Sequence, residues 1–339
     1  MYRSRNKIVG IGCDFQTESD ENSRKLAIEN LSGGEKQRVS WMISNMYSNK
    51  AFKYKTLNKS KKEREEIFKN LCNEYLTYRK NWKNQPLQSF KKKLSGKKFK
   101  DENHNPLCFD LEVASICDLA CGFCYRQYVS TPDKIMKKEL AFDLIDQASK
   151  LNVPSMKFNW RGEPLLNPQL PQIIDYAKSK GILETIINTN ATKLDNKMSA
   201  EIIKSGLDVM IYSFDGGTKE TYEKMRPGRF GKNNFDDIYK NIKNFNKIRK
   251  KLNSTFPRTK IQMILTDETR KVQKDYFNLF KDIVDEVSVK QYTERGGNLS
   301  ELDKQFETKI KNQKQDLINK YGEDAVLMKD SKNNIYISD

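Results

Sequence analysis

The stretch Ile116-Cys117-Asp118-Leu119-Ala120-Cys121-Gly122-Phe123-Cys124-Tyr125 decides how the rest of the chain is read. Its three cysteines have C-x3-C-x2-C spacing and follow the apolar-rich run from Leu107 to Ile116. Thiolates this close in sequence can gather around one soft metal centre from a loop that wraps it. Three ligands differ from four. A closed structural zinc site uses four, whereas three leave one metal position for another molecule. From spacing alone an iron–sulfur centre is favoured. Zinc completed by a distant fourth ligand is the competitor, and a reduced loop without metal is the bland alternative.

Outward from this loop the pattern is alternation. Short β-rich runs are expected at 109–116, 156–160, 184–189, 209–214, 260–265 and 286–291, with helical stretches at 134–151, 169–180, 196–205, 235–251 and 271–283. Strands alternating with helices imply a parallel sheet with right-handed crossovers. Six units give an α/β fold, a partial (β/α)6 TIM-like barrel, with chemistry expected at the C-terminal strand ends. The unusual residues fall there. The first strand is followed by the cysteine loop, the second by Arg161-Gly162-Glu163-Pro164, the third by Asn188-Thr189-Asn190 and the fourth by Asp215-Gly216-Gly217, with Ser213 just before. The sixth is followed by Tyr292-Thr293-Glu294-Arg295.

Residues 1–104 read as a helical, basic N-terminal extension, 105–298 as the barrel, and 299–339 as a C-terminal helix with a short strand at Ile335-Tyr336-Ile337. Ser32 with Glu35 has capping-box spacing and opens a helix through Met46. The surrounding Leu31-Ser32-Gly33-Gly34-Glu35-Lys36-Gln37-Arg38 resembles the signature loop of ABC-type ATPases, but no phosphate-cradling Gly-x4-Gly-Lys-Ser/Thr loop accompanies it. A long amphipathic helix is expected from Lys61 to Asn84, with Phe68, Leu71, Cys72, Tyr75, Leu76 and Trp82 near one face. Gln85 to Lys100, with Pro86, reads as a linker.

The chain has 339 residues, 37% of them hydrophobic, and a net charge of +17. That supports a sizeable core and excludes global disorder. No apolar run reaches the roughly 20 residues that span a bilayer. Residues 51–100 hold 16 Lys and Arg against 4 Glu. The basic residues mix with Glu at helical spacing and no nucleic-acid motif joins them, so a solvated helix face is favoured over a polyanion surface. Six cysteines, three in one loop, fit a reducing cytoplasm rather than a disulfide framework. The single histidine, His104, stands in a polar loop and reads as structural.

Cys117-x3-Cys121-x2-Cys124, with Phe123 before the last cysteine, resembles the signature of the radical S-adenosylmethionine (radical SAM) superfamily. Trp160-Arg161-Gly162-Glu163-Pro164 is similar to its Gly-Gly-Glu-Pro motif. Ser213-Phe214-Asp215-Gly216, followed by Glu220, Tyr222, Arg226, Pro227 and Gly228, resembles the fourth-strand region of the branch that often carries a SPASM or twitch tail. The resemblance implies a 4Fe-4S cluster on Cys117, Cys121 and Cys124, whose fourth iron chelates S-adenosylmethionine. It implies that Gly162, Glu163 and Pro164 receive the amino group, that Phe123 packs beside adenine, and that Ser213, Asp215, Asn188 or Asn190 meet the ribose or carboxylate. Reductive cleavage would then give a 5′-deoxyadenosyl radical that abstracts hydrogen from a substrate, with the cofactor doing the hard chemistry. A flavodoxin or ferredoxin is the implied electron donor.

Two departures stand out. Arg161 replaces the first glycine of the second motif, and no cysteine follows Cys124, so the expectation is either a single-cluster enzyme or a fragment of a longer protein. Across the barrel mouth Tyr292, Glu294 and Arg295 are the candidate catalytic residues, with Tyr292 able to return a hydrogen atom. Their polarity suggests a peptide, sugar or small metabolite as substrate. The rival readings are an RNA-modifying radical SAM enzyme using the basic N-terminal stretch, and a non-catalytic metal-binding module.

Overall fold

The computed structural model describes residues 33–94, 106–124, 126, 132–292, 327–329 and 335–337. In chain order the elements are α1 (Gly33–Ser44), α2 (Lys50–Lys55), α3 (Lys61–Leu94), β1 (Phe109–Asp110), α4 (Lys138–Lys150), β2 (Ser155–Lys157), α5 (Leu170–Ser179), β3 (Glu184–Thr189), α6 (Asn196–Ser205) and β4 (Val209–Ser213). They continue with α7 (Lys219–Met225), α8 (Phe235–Lys251), β5 (Arg258–Leu265), α9 (Asp267–Lys271), α10 (Gln273–Phe280), β6 (Glu286–Gln291), β7 (Leu327–Lys329) and β8 (Ile335–Ile337).

Strands β1 to β6 form one sheet in sequence order, and every neighbouring pair is parallel. This is the expected open α/β barrel. Strand β3 reads Glu-Thr-Ile-Ile-Asn-Thr, rich in β-branched side chains that suit a pleated surface. One sheet face is apolar. Met156, Ile187, Met210, Ile261 and Met263 lie in one core with Ile145, Ile174, Ile242 and Phe245 of the crossover helices. Alternation along the strands sends Lys157, Asn188, Ser213, Lys260 and Gln262 to the other, inner face. Caps set the helix boundaries. Asp195 accepts from Met198 N at the start of α6, and Gly206, with φ of 85°, ends it.

Several boundaries differ from expectation, each for a local reason. The first strand keeps only Phe109 and Asp110, because beyond Leu111 the chain turns to Pro132–Met136. Ser115 N donates to Lys134 O, Met136 N donates to Val113 O, and Ala114 bridges Ile135. The same pairing delays the next helix to Lys138. The expected helix over 271–283 is two helices broken at Val272 (φ −109°), since Thr266 and Thr269 form a capping box that opens α9 earlier. Helix α3 runs through Pro86 to Leu94, so 85–94 is not a linker. One lost amide bond is tolerated in 34 residues of good helix formers. Trp82 is 45% exposed rather than on the apolar face.

Residues up to Lys80 belong to the same compact unit as 105–294, and a second unit gathers 81–104 with 295–339. Strands β7 and β8 form an antiparallel pair, which contains the short run foreseen at Ile335. In the first unit, Val39, Ile43, Phe52, Phe68, Leu71 and Tyr75 of the first three helices share a buried cluster with Leu183 and Phe256 of the barrel. Among the described residues no helix is long and apolar enough to cross a membrane. Cys13, His104 and Ser32 lie outside the described residues, as does most of the expected C-terminal helix.

Candidate functional site

The cysteine loop leaves β1 at the C-terminal end of the sheet. Cys121 is buried, Cys117 and Cys124 are half-buried, and all three are free thiols. Cys124 N donates to Cys121 O at 3.0 Å, which closes a tight turn around Gly122 and Phe123. Burial pushes the Cys117 thiol up to about 12, helped by the Glu163 charge. Burial pushes Cys121 up to about 11 against the opposing pull of Arg226. Thiols in this state are protonated until a metal displaces the proton. Among the described residues no three His, Cys, Asp or Glu side chains converge on a single-ion site. A 4Fe-4S cluster does not ask for that, because each thiolate binds its own iron.

Two straps hold the loop. On the β3 side, Asp118 Oδ1 accepts from Asn190 Nδ2 at 2.8 Å and its Oδ2 accepts from Thr192 Oγ1 at 2.6 Å. Asn190 Nδ2 also stands 4.0 Å from Cys117 Sγ. On the α7 side, Ala120 N donates to Pro227 O and Arg229 N to Asp118 O, both at 2.8 Å. The loop therefore has a fixed shape before any metal is considered.

The second motif is read differently in three dimensions. A Cβ on Gly162 would stand 2.1 Å from Ala114 O and 2.6 Å from Ile116 O. The close approach this glycine permits is to the segment entering the cysteine loop, and Glu163 N donates to Ile116 O at 2.8 Å. Glu163 is 3% exposed, and its carboxylate is turned inward. It accepts from Thr189 Oγ1 at 2.6 Å, Asn190 N at 2.7 Å and Leu165 N at 3.1 Å. This carboxylate joins the second and third strand ends. Burial pushes its pKa up to about 7 against those three donors. Pro164 opens the short 3-10 turn Pro164–Leu166. Arg161, the departure from the motif, forks onto Glu112, with its backbone N and Nη2 each 2.8 Å from the carboxylate.

Asp215 is likewise committed internally. It is fully buried and accepts from Ile264 N at 2.6 Å and Arg226 Nη2 at 2.6 Å. The Arg226 guanidinium lies 5.8 Å from the centre of the Phe123 ring, so the buried pair also backs the cysteine loop. Burial disfavours the Arg226 charge, but Asp215 and Cys121 hold its pKa above the ordinary value.

What remains open is on the inner face. Asn188 Oδ1 is buried with no hydrogen-bond partner. Its neighbours in register are Ile211 on β4 and, one step on, Ser213 opposite Gln262 of β5. A buried acceptor of this kind costs free energy unless something donates to it. Three thiols without a fourth, together with an orphaned acceptor on β3 just before the Asn190 that stands beside Cys117, fit a cluster with one iron left for S-adenosylmethionine. Cys117, Cys121 and Cys124 would hold the cluster, and Asn188 and Ser213 can meet the small molecule. Tyr292 is half-buried just past β6, while Glu294 and Arg295 lie outside the described residues. Sequence reading missed Asp118, Thr192, Glu112 and Gln262. The signal for Asp118 was its place between two cysteines of the loop. For Gln262 it was inward parity on a strand beside Ser213.

Fold and site together define a partial α/β barrel with a three-thiol loop at its catalytic end. Residues 111–274 match the sequence model of the Radical SAM superfamily, and over that stretch the chain belongs to the superfamily, whose members use a 4Fe-4S cluster and S-adenosylmethionine. A tungsten-containing aldehyde ferredoxin oxidoreductase cofactor-modifying protein of Pyrococcus furiosus is 31% identical over 108 residues, 31% of this chain and 30% of the relative. An Fe-coproporphyrin III synthase of Methanosarcina barkeri is 33% identical over 114 residues, 32% and 27% of the two chains. The matched stretch thus spans under a third of these curated relatives. Among solved structures, Streptococcus suis SuiB bound to S-adenosylmethionine is 17% identical with a TM-score of 0.48, covering 86% of this chain and 66% of that one.

Proposed function

We propose that this chain is a radical SAM enzyme acting on a polar substrate, a peptide, sugar or small metabolite, in the cytoplasm. The observation that carries the reading is the three-thiol loop, fixed by Asp118 and Asn190 to the end of β3, the strand on which Asn188 Oδ1 lacks a partner. When bound, the cluster and S-adenosylmethionine supply one-electron cleavage of a sulfonium and hydrogen abstraction at carbon. The chain's own residues do the remainder. Cys117, Cys121 and Cys124 take the irons, Asn188 Oδ1 accepts from a ribose hydroxyl, and Ser213 Oγ offers a donor to the same molecule. Phe123 lends a ring face for adenine. Glu163 and Asp215 act one step back, holding strand ends and loop at fixed separation.

The polar substrate is supported by the inner face, where Lys157 at the end of β2 and Gln262, opposite Ser213, replace the apolar filling of a closed barrel. Tyr292, past the last strand, is assigned hydrogen return to the product. Glu294 and Arg295 are assigned to substrate contact. A flavodoxin- or ferredoxin-type protein supplies the electron.

The test is anaerobic reconstitution with iron and sulfide, then dithionite and S-adenosylmethionine, with chromatography for 5′-deoxyadenosine. The expected result is its formation by the wild type and its loss in Cys117→Ala, Cys121→Ala and Cys124→Ala. An intact cluster that yields none would refute the reading, and one zinc in place of iron and sulfide would support the metal-binding module instead.

A further inference from the structure

The chain between α7 and α8 forms a turn on the outside of the cysteine loop. It is attached by the two 2.8 Å backbone bonds already described and by a Leu119–Gly228 bridge. Gly228 makes the turn possible, since a Cβ there would stand 1.7 Å from Gly231 O. The turn carries Arg229, Phe230 and Lys232 outward. Phe230 is 66% exposed, the most exposed large apolar side chain among the described residues. The Arg229 guanidinium covers one face of its ring at 4.8 Å and reaches Cys117 O at 3.5 Å. Beside it Asp133 pairs with Arg126 at 2.7 Å and Arg229 at 2.8 Å, and the exposed Lys134 and Lys232 stand close to these residues in the chain. Among these residues four cations meet one carboxylate, which leaves a net positive balance.

Aromatic and Arg side chains are enriched at protein contacts, with polar groups at the rim. Its position adds the specific argument. The turn touches the loop of the thiols by backbone, so a protein seated on it lies against Cys117 itself. Positive potential there speeds encounter with a negatively charged partner. Resting on the function proposed above, we propose that this patch, centred on Phe230, docks a small acidic one-electron carrier protein. Reduced carrier gives one electron to the cluster and is itself oxidised by one electron. No bond forms and no proton moves.

The test uses the reconstituted chain, reduced flavodoxin as the probe carrier, and the double variant Phe230→Ala with Lys232→Glu. Neither side chain touches the thiols. Bleaching of the cluster's visible band is followed by stopped flow with flavodoxin and, separately, with dithionite. The flavodoxin rate is expected to fall about tenfold or more and to lose its salt dependence, while the dithionite rate stays within about twofold. Equal slowing with both reductants, or an unchanged flavodoxin rate, would overturn the proposal. A titration of flavodoxin onto wild type and variant, at low and high salt, measures binding directly. A chain that holds no iron refutes the proposed function, and the titration still decides the docking surface: salt-sensitive binding lost in the variant supports it, and no binding overturns it.

Discussion

Asp118 lies between two thiols and reaches neither; its two oxygens accept from Asn190 and Thr192 at 2.8 and 2.6 Å. Hydrogen bonds to a charged acceptor contribute about 1.5–3 kcal/mol each when buried, less at half exposure. Asp118→Ala should therefore lower stability by about 1–3 kcal/mol and loosen the loop. Iron retained after desalting a reconstituted sample should drop, with partial recovery in Asp118→Asn. Wild-type retention in the alanine variant would show that the loop holds itself. Glycines give a sharper contrast. At Gly162 a methyl group meets backbone on three sides, the nearest atom being Ala114 O at 2.1 Å. Gly162→Ala should cost about 1–3 kcal/mol or more in urea unfolding. Gly122, where an added Cβ would meet no atom within 4 Å, should accept alanine within about 0.5 kcal/mol. Equal effects at the two sites would remove the packing argument for Gly162. The cysteine spacing made the loop legible from sequence. The straps were not legible, because Asp118, Thr192 and Arg229 are ordinary polar residues until folding sets them side by side.

At the level of elements, the alternation of β-rich and helical runs was enough to give strand order and count, and α6 and α8 fall where the sequence placed them. Long-range pairings were hidden. Glu184 opens β3 fully buried, and its carboxylate meets Arg38 of α1 at 2.7 Å and Tyr75 of α3 at 2.7 Å. Arg79 of α3 stands 3.7 Å away. A contact 146 residues apart has no periodic signature. Burial pushes the Glu184 pKa up, but the charges of Arg38 and Arg79 and the Tyr75 hydroxyl more than offset it, leaving it below the ordinary value. A depressed folded pKa means stability that is present above the ordinary value of 4.5 and lost as pH falls below it. The wild-type urea midpoint should thus fall more steeply below about pH 4.5 than that of Glu184→Gln. At pH 7 that variant, which leaves two arginines facing a neutral group, should be less stable by about 3–5 kcal/mol. Parallel pH profiles for the two proteins would show that Glu184 is not the group responsible.

Across the whole of the first unit, the same contacts reassign the N-terminal helices. In sequence they read as a basic extension. In the structure Lys61, Lys62 and Arg64 are exposed, whereas Arg38 and Arg79 point into the base of the barrel. The loop resembling an ATPase signature is used there too, since Glu35 pairs with Arg79 and Arg38 with Glu184. Beside them Asn49 donates to the buried Asp208 at 2.7 Å, sharing it with Lys178 at 2.7 Å. Without these helices Glu184 and its apolar neighbours Leu183 and Phe256 would face water or stay buried unpaired. An uncompensated buried charge alone costs about 3–5 kcal/mol, a large share of the roughly 5–15 kcal/mol that separates folded from unfolded domains. A chain starting at residue 105 should accordingly be insoluble or melt without a cooperative transition by circular dichroism. If the shorter chain gave a soluble protein with a sharp melt, the helices would be an appendage after all, and the basic face of α3 would regain its standing as a separate binding surface.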